Sequence, residues 1–523
     1  MKRPVTQTLS GWLTLLALTL TSPALAQAEL AEDVREYRLE NGLRVIMVER
    51  GVAPVIDFNL TFDTGGVDEP PGLGGVAHMV EHMAFKGTRS IGPYDVAAEE
   101  AALVRLERVA NALVVAREAG ATGAALASFE EDFAAAQAAA QALASPNALD
   151  TLFTNNGAQG LNASTAYDRT SYTVSLPSNR LELYARVYAD VLTNPVFRSF
   201  YEERDVVREE RRTRSEDSPG GVLTEAFLAE AFQRHPYGRP LIGSADEIAD
   251  YTATAAQGIF DTFYYPNRAV LVVVGDVEPE RDIRTIRRYF GFVPRGPEVR
   301  AEPPAEPAQR AERRVQVPFD AEPQVIVGYH KPTYPERDAY VLDVLDYVLG
   351  AGRASRLYRA LVTEQRLAVS ASTSSASPGT RYPNLFEVGL VPRAPATPQE
   401  LEQALYAELD RVIQEGVTDA ELARAKTLVR ADVLRSFESG SDLAAFLAYN
   451  ELFAGGWESV FRDLERYDTV TAAEIREAAR RTFRAENRTV ATLVTETAGD
   501  EPAQAAQQTA QQTAQQAGSE ENQ

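Results

Sequence analysis

Two of the four histidines in this chain of 523 residues, His78 and His82, stand four apart with Glu81 between them. They lie in the otherwise largely apolar run AHMVEHMAFKGT (77–88). On an α-helix, positions i and i+4 share a face and i+3 lies beside them. Both imidazoles can therefore aim at one point, with the Glu81 carboxylate next to it. An apolar helix of this kind belongs in the interior, where unpaired imidazole and carboxylate are costly. A divalent cation would remove the penalty for all three groups. Two core histidines bonded to backbone carbonyls are the plainer alternative. The chain has no cysteine, so a metal site is limited to histidine, carboxylate and water, a donor set that suits zinc.

A catalytic zinc takes three protein ligands and leaves a fourth position to water, so an Asp or Glu must join the histidines. The segment YEERDVVREERR (201–212) offers candidates. Glu203, Val206, Val207 and Glu210 fall at i, i+3, i+4 and i+7, one stripe of a helix, and the valines mark that stripe as core-facing. Glu202 and Glu209 share a stripe with Asp205 and are expected in solvent. Four surface charges on a salt-bridged helix is the ordinary reading of such a run. The order His-x-x-Glu-His is the inverted zinc-peptidase signature.

These residues need elements to hold them. Residues 35–51 read as a β-hairpin turning at Asn41-Gly42. VIDFNLTFDTGG is a further strand, and the PPGLGG loop (70–75) leads into the histidine helix. Residues 94–148 are Ala-rich with helical periodicity, broken by GATG (120–123), and read as a helical hairpin. VPRGPEVRAEPPAEPAQRAE (293–312) has no apolar period and reads as a linker. An internal repeat flanks it: Thr-x-Thr-Ala-Ala, a helix, then Asn-Arg-x-Val and a strand. Matching Thr254 with Thr471 and Asn267 with Asn487 gives offsets of 217 and 220, so one copy carries a short insertion. Two similarly folded halves are expected. His235 and His330 are read as structural.

The formal net charge of −23 argues against nucleic acid and anionic membrane as partners. Lys2 and Arg3, the apolar GWLTLLALTL and the ALA at 24–26 read as a signal peptide over residues 1–26. No other stretch is expected to span a membrane. The chain is therefore expected to be exported, to the periplasm or to the exterior. Residues 499–523 have the composition of a disordered tail.

DEPPGLGGVAHMVEHMAFKGT (68–88) resembles the active-site segment of the insulinase/pitrilysin family of zinc metallopeptidases, in particular its two-domain bacterial members similar to the mitochondrial processing peptidase. NASTAYDRTSYTVSLP, ERDVVREE, HPYGRPLIGS and GAGRASRLYRALVTEQRLA resemble further family segments. The resemblance implies an α+β chain of two repeated α/β sandwich domains, with mixed, largely antiparallel sheets. The first (35–292) would carry the helical insertion, and the second (313–498) would carry no metal. It implies one zinc per chain held by His78, His82 and Glu210, with Glu203 orienting a histidine ligand and Glu81 as general base toward an activated water. It places Asn162 on an edge strand where a peptide substrate could pair. The family's paired Arg and Tyr, which bind the substrate carbonyl, correspond to Val362 and Val369 here. Arg356 or Tyr358 could substitute, or a partner subunit could supply the pair in a homodimer or a heterodimer with a related chain. The 127 residues between His82 and Glu210 exceed the family spacing by roughly the hairpin's length. The hairpin is accordingly read as an inserted arm for partner contact or access control. The expected activity is zinc-dependent endopeptidase hydrolysis of short or unfolded peptides. A non-catalytic scaffold subunit and a periplasmic adaptor with structural zinc are the rivals.

Overall fold

The computed structural model describes residues 33–51, 53–145, 147–298 and 302–495. The expected signal peptide (1–26) and tail (499–523) lie outside the described residues. Two mixed sheets organise the chain. The first contains β1 (Val34–Arg38), β2 (Arg44–Glu49), β3 (Val55–Phe62), β4 (Gln159–Thr165), β5 (Thr170–Pro177) and β6 (Ala269–Gly275), in the order β1-β2-β6-β3-β5-β4. The second contains β7 (Arg313–Phe319), β8 (Gln324–Lys331), β9 (Ala368–Ser377), β10 (Asn384–Pro392) and β11 (Arg488–Thr495), in the order β7-β11-β8-β10-β9. Each has one parallel pair, β2 with β6 and β7 with β11, and every other pair is antiparallel. Apart from β1, the two sheets share one topology, so the repeat read in the sequence is a repeat of fold.

The helices used below are α1 (Val76–Met83), α2 (Val96–Glu118), α3 (Gly123–Gln141), α4 (Phe200–Arg211), α5 (Pro219–Ala231), α6 (Ala253–Phe263), α7 (Gly440–Phe453) and α8 (Ala472–Thr482). The repeat's register differs from the sequence match by two residues. The N-caps of α6 and α8 are Thr252 and Thr471, whose hydroxyls accept from the amides of Ala255 and Glu474. Both helices have 11 residues. The capping position, not the Thr-x-Thr-Ala-Ala string, sets the correspondence, because only a cap hydroxyl satisfies an orphan amide of the first turn.

The halves exchange cover. Strand β6, AVLVVVG, is buried along its whole length, as a central strand with both faces packed must be. One of its faces, Leu271 and Val273, joins the core that contains α1. Its other face, Val270, Val272 and Val274, packs with Ile46 and Val48 against Leu443 and Leu447 of α7, which comes from the second half. Conversely, Leu223 and Phe227 of α5, from the first half, pack against Ile326, Leu385 and Leu493 of the second sheet. Gly328 on β8 allows this: a Cβ there would meet the Phe227 ring at 2.4 Å. The lobes are therefore contiguous in sequence but interlocked in space. The joint is polar. The Asp168 carboxylate accepts from the Tyr237 hydroxyl (2.7 Å) and from the amides of Thr380 (2.7 Å) and Arg381 (3.1 Å). The Arg381 guanidinium reaches back to the Asp63 carbonyl (2.6 Å) and the Asp68 carboxylate (3.2 Å).

The linker and the hairpin are both held against the first lobe. The proline-rich stretch is strapped to the first lobe: the Glu306 carboxylate accepts from the amides of Gln233, Arg234 and His235 (2.8–3.1 Å). The α2–α3 hairpin is docked along its inner side. Leu106, Ala110, Ala136 and Ala140 are buried in the first core, and Gln137 donates to Glu202 on α4 (2.8 Å). Glu107 accepts from the Tyr201 hydroxyl (2.6 Å) and the Thr254 amide (2.9 Å).

Candidate metal centre

Helix α1 is fixed at both ends. Its N-cap, Gly75, has φ +81°, and a Cβ there would meet the Ile242 carbonyl oxygen at 2.0 Å, so only glycine fits. No side chain at the cap position serves the first turn. Instead the buried Glu69 carboxylate reaches in from the preceding loop and accepts from the amides of Gly75 (2.9 Å) and Ala77 (2.8 Å). Beyond the helix, Arg198 donates to the carbonyls of Thr88 (2.9 Å) and Ile91 (3.1 Å) and, at its Nε, to Glu99 of the hairpin (2.7 Å). This ion pair is buried on both sides. Arg198 stands just before α4, so one guanidinium ties the loop after α1, the hairpin and the start of α4.

Helix α4 lies across α1. Its buried face runs through Phe200, Val207 and Arg211, while Val206 is 50% exposed. The inward stripe is thus turned by about one residue from the sequence reading, and Glu203 and Glu210 sit on its border, half-buried. That border faces α1. Glu202 is likewise half-buried and bonded to the hairpin, whereas Glu209 is in solvent.

His78, His82 and Glu210 each offer an atom within 4.8 Å of the others. The Nε2 of His78 lies 3.7 Å from Glu210 Oε1, and the Nε2 of His82 lies 3.6 Å from Glu210 Oε2. These separations are too long for hydrogen bonds. Ligands held about 2.0–2.2 Å from a tetrahedral zinc stand about 3.3–3.6 Å apart, close to what is found. Protonation states agree. Burial, with His82 and Arg214 nearby, pulls His78 down to about 3, so its ring is neutral and offers a lone pair. His82 turns its Nδ1 to Glu203 Oε2 at 3.1 Å, an orientation that presents Nε2 toward Glu210. Burial alone would raise Glu203, but its bonds to His82 and Lys86 outweigh this and hold the carboxyl below its ordinary value. The donor set and its spacing fit zinc.

Glu81 is 8% exposed. Burial raises its pKa, opposed by the Thr165 hydroxyl, which donates to Oε2 at 2.5 Å. Thr165 ends β4, the edge strand of the first sheet. A register shift lies between Gln159 and Asn162, with Gly160 at φ +59°. Asn162 lies on this edge and lines the cavity of ≈920 Å³ that also holds His78, Glu81, His82 and Glu210. The second lobe contributes Ser377 and Pro378 to its wall.

Arg356 and Tyr358 do not line this cavity. The Arg356 guanidinium is bound to Glu421 (2.6 Å) and the Gly416 carbonyl (3.2 Å), and it holds Glu421 down to about 2 against the effect of burial. Tyr358 packs against the second core, Val362 is buried, and Val369 is 55% exposed elsewhere. Two cavity residues escaped the sequence reading. Thr165 stands 84 positions from Glu81, with no local signal to join them. Arg214, which bonds Glu210 Oε1 at 2.7 Å, is aimed there by the wider helical turn Arg212–Glu216 that follows α4. His235 and His330 are packed structurally: His235 Nδ1 accepts from the Tyr237 amide (3.2 Å) and His330 Nε2 lies 3.0 Å from the Ala231 carbonyl.

Replacing Glu203 by Gln is expected to weaken zinc binding about 10–100-fold, as loss of an orienting carboxylate does elsewhere. Chelator competition on the folded protein reads this directly. An unchanged affinity would remove Glu203 from the centre.

Known proteins bear on this arrangement. The family model described as insulinase (peptidase family M16) matches residues 44–102 and 136–245. That described as the peptidase M16 inactive domain matches residues 250–429. The unmatched stretch between 102 and 136 falls within the α2–α3 hairpin. The zinc protease PqqE of Helicobacter pylori is 27% identical over 487 residues, spanning 90% of this chain and 96% of its own. The crystal structure of a protease from Helicobacter pylori superposes with a TM-score of 0.73 at 24% identity, covering 88% of this chain and 99% of that one. The periplasmic protease PqqL from Escherichia coli gives 0.66 at 18% identity, covering 89% of this chain and 48% of its own. Among the described residues, no helix is long and apolar enough to cross a membrane.

Proposed function

Because the chain belongs to the insulinase family of peptidases, M16, we propose that it is an exported, zinc-dependent endopeptidase acting on short or unfolded peptides. The observation that carries this reading is the convergence of two imidazole nitrogens and one carboxylate at metal-ligand spacing, with a buried carboxylate beside them. His78, His82 and Glu210 would hold the zinc, which when bound supplies a polarised water and a Lewis-acid contact for a peptide carbonyl. Glu203 keeps the His82 ring turned and its Nδ1 proton in place. Glu81, raised by burial and steadied by Thr165, takes a proton from the attacking water and passes it to the departing amine. The open edge of β4 offers unpaired backbone groups to an extended peptide, with Asn162 along it.

The second lobe, in which the described residues hold no such cluster, walls the cavity. PqqL spans about twice the length matched here, so a second unit, either another copy or a related chain, is the expected partner. Most of the hairpin, residues 103–135, lies outside what the family model covers, and we read it as an insertion that splints α1 to α4. Export follows from the N-terminal sequence and accords with the periplasmic PqqL.

The test is hydrolysis of quenched peptides by the full chain before and after chelation. Activity should fall to background with a zinc chelator and return on adding zinc. Hydrolysis that persists in the metal-free protein would defeat the reading. Bound zinc with no hydrolysis of any peptide would favour the adaptor reading instead.

A further inference from the structure

On the face of the first sheet turned away from α1, a second cavity of ≈670 Å³ opens beneath β3 and β5 and against α7. Elsewhere this face is sealed by Val270, Val272 and Val274 against leucines of α7. Here alternation along the strands turns Asn59, Thr61, Ser171 and Thr173 toward it instead. Its charged lining groups are Arg169, Arg435 and Asp442. Arg435 is bonded to Asp432, and Asp442 accepts from the Ser439 hydroxyl (2.6 Å). Arg169 lies with its guanidinium 5.5 Å from the Tyr449 ring centre. Ser164 on β4 lines both this cavity and the one holding the metal-candidate residues, so the two clefts meet along the edge strand.

The register of β4 gives the meeting a consequence. Ala163 and Thr165 pair with Tyr172 and Thr170, on the face where Thr165 reaches Glu81. Asn162 and Ser164 pair with Thr173 and Ser171, which line the second cavity. Successive side chains of a strand point to opposite faces, so a peptide paired along β4 repeats this alternation. Its residues facing Glu81 are flanked by residues facing Arg169. We propose that the second cleft is a specificity subsite that takes those flanking side chains, and that Arg169 selects a carboxylate, Asp or Glu, among them. The floor hydroxyls are already engaged, Thr61 with Asn59 (2.6 Å) and with Ser171 (2.9 Å), so the selection falls to the Arg169 guanidinium. This rests on the peptidase reading and on edge pairing, and names the substrate class that they leave open.

The test uses the full zinc-loaded chain and amidated, internally quenched peptides in which each position is varied among Gln, Glu and Lys. Amidation removes the terminal carboxylate as a competing source. In the wild type, Glu in place of Gln at one or two alternate positions is expected to raise kcat/KM about tenfold, the size of a charge-assisted bond. Arg169→Gln should bring the Glu-to-Gln ratio to near one, and Arg169→Glu should turn the preference to Lys. The same peptides binding to the Glu81→Gln variant, followed by fluorescence anisotropy, read the preference without turnover. A peptidase reading that fails therefore shows as absent hydrolysis, while a carboxylate preference in binding still supports the subsite. No preference in either readout, or a ratio in Arg169→Gln equal to the wild-type ratio, overturns the proposal.

Discussion

Glu81→Gln is expected to slow peptide hydrolysis by about 10²–10⁴-fold while zinc content and thermal midpoint stay at their wild-type values. The substitution keeps shape and removes only the ability to take a proton. The Thr165 hydroxyl can still donate to the amide oxygen, so the buried side chain keeps its partner. Glu81 is also not among the three groups that converge at ligand spacing. His82→Ala, by contrast, is expected to lose zinc and activity together, because it removes one of those groups and strands Glu203 beside Lys86. Turnover assays paired with metal analysis separate the two cases. Wild-type turnover by Glu81→Gln would take Glu81 out of the chemistry, and loss of its zinc would make it a ligand instead.

A chain ending at residue 298 is expected not to fold as a soluble monomer, although it contains the whole first sheet and every candidate zinc ligand. It lacks α7, so Val270, Val272, Val274, Ile46 and Val48 would face water. Burying each such side chain is worth about 1.5–3 kcal/mol, and several together exceed the margin by which domains of this size are stable. It would also expose Leu223 and Phe227 of α5, which have their partners in the second sheet. Co-production with residues 302–495 should restore a soluble complex. Size-exclusion and thermal melting decide the matter: a cooperative, monomeric first half on its own would show that the exchanged helices are not essential cover.

The candidate metal-site residues were legible because helical spacing is local. His78 and His82 declare a shared face within four residues, and Glu203 with Glu210 does so within seven. The valines misled slightly. They suggested a stripe through Val206, whereas the buried row runs through Phe200, Val207 and Arg211, because aromatic and arginine stems count toward a buried face as much as aliphatic ones. The repeat was legible but its register was not, since Thr252 and Thr254 are equally good caps until one finds an amide. Thr165 and Arg169 were beyond reach: their partners, Glu81 and Tyr449, stand on helices packed against the sheet, and no local pattern records that packing. The exchange of α5 and α7 was hidden for a related reason. An apolar helix face says that it must be covered, and nothing in it says by which sheet.

The irregularity in β4 has one more consequence. The strand offers an open edge, and open edges invite other copies to zip on. The shift between Gln159 and Asn162, with Gly160 in a left-handed conformation, leaves a regular ladder only over residues 162–165. A guest can dock along that short stretch and depart, but two molecules meeting edge to edge run out of matching amides after a turn of the pleat. Straightening the kink would lengthen the landing strip and, with it, the hazard of fibrils.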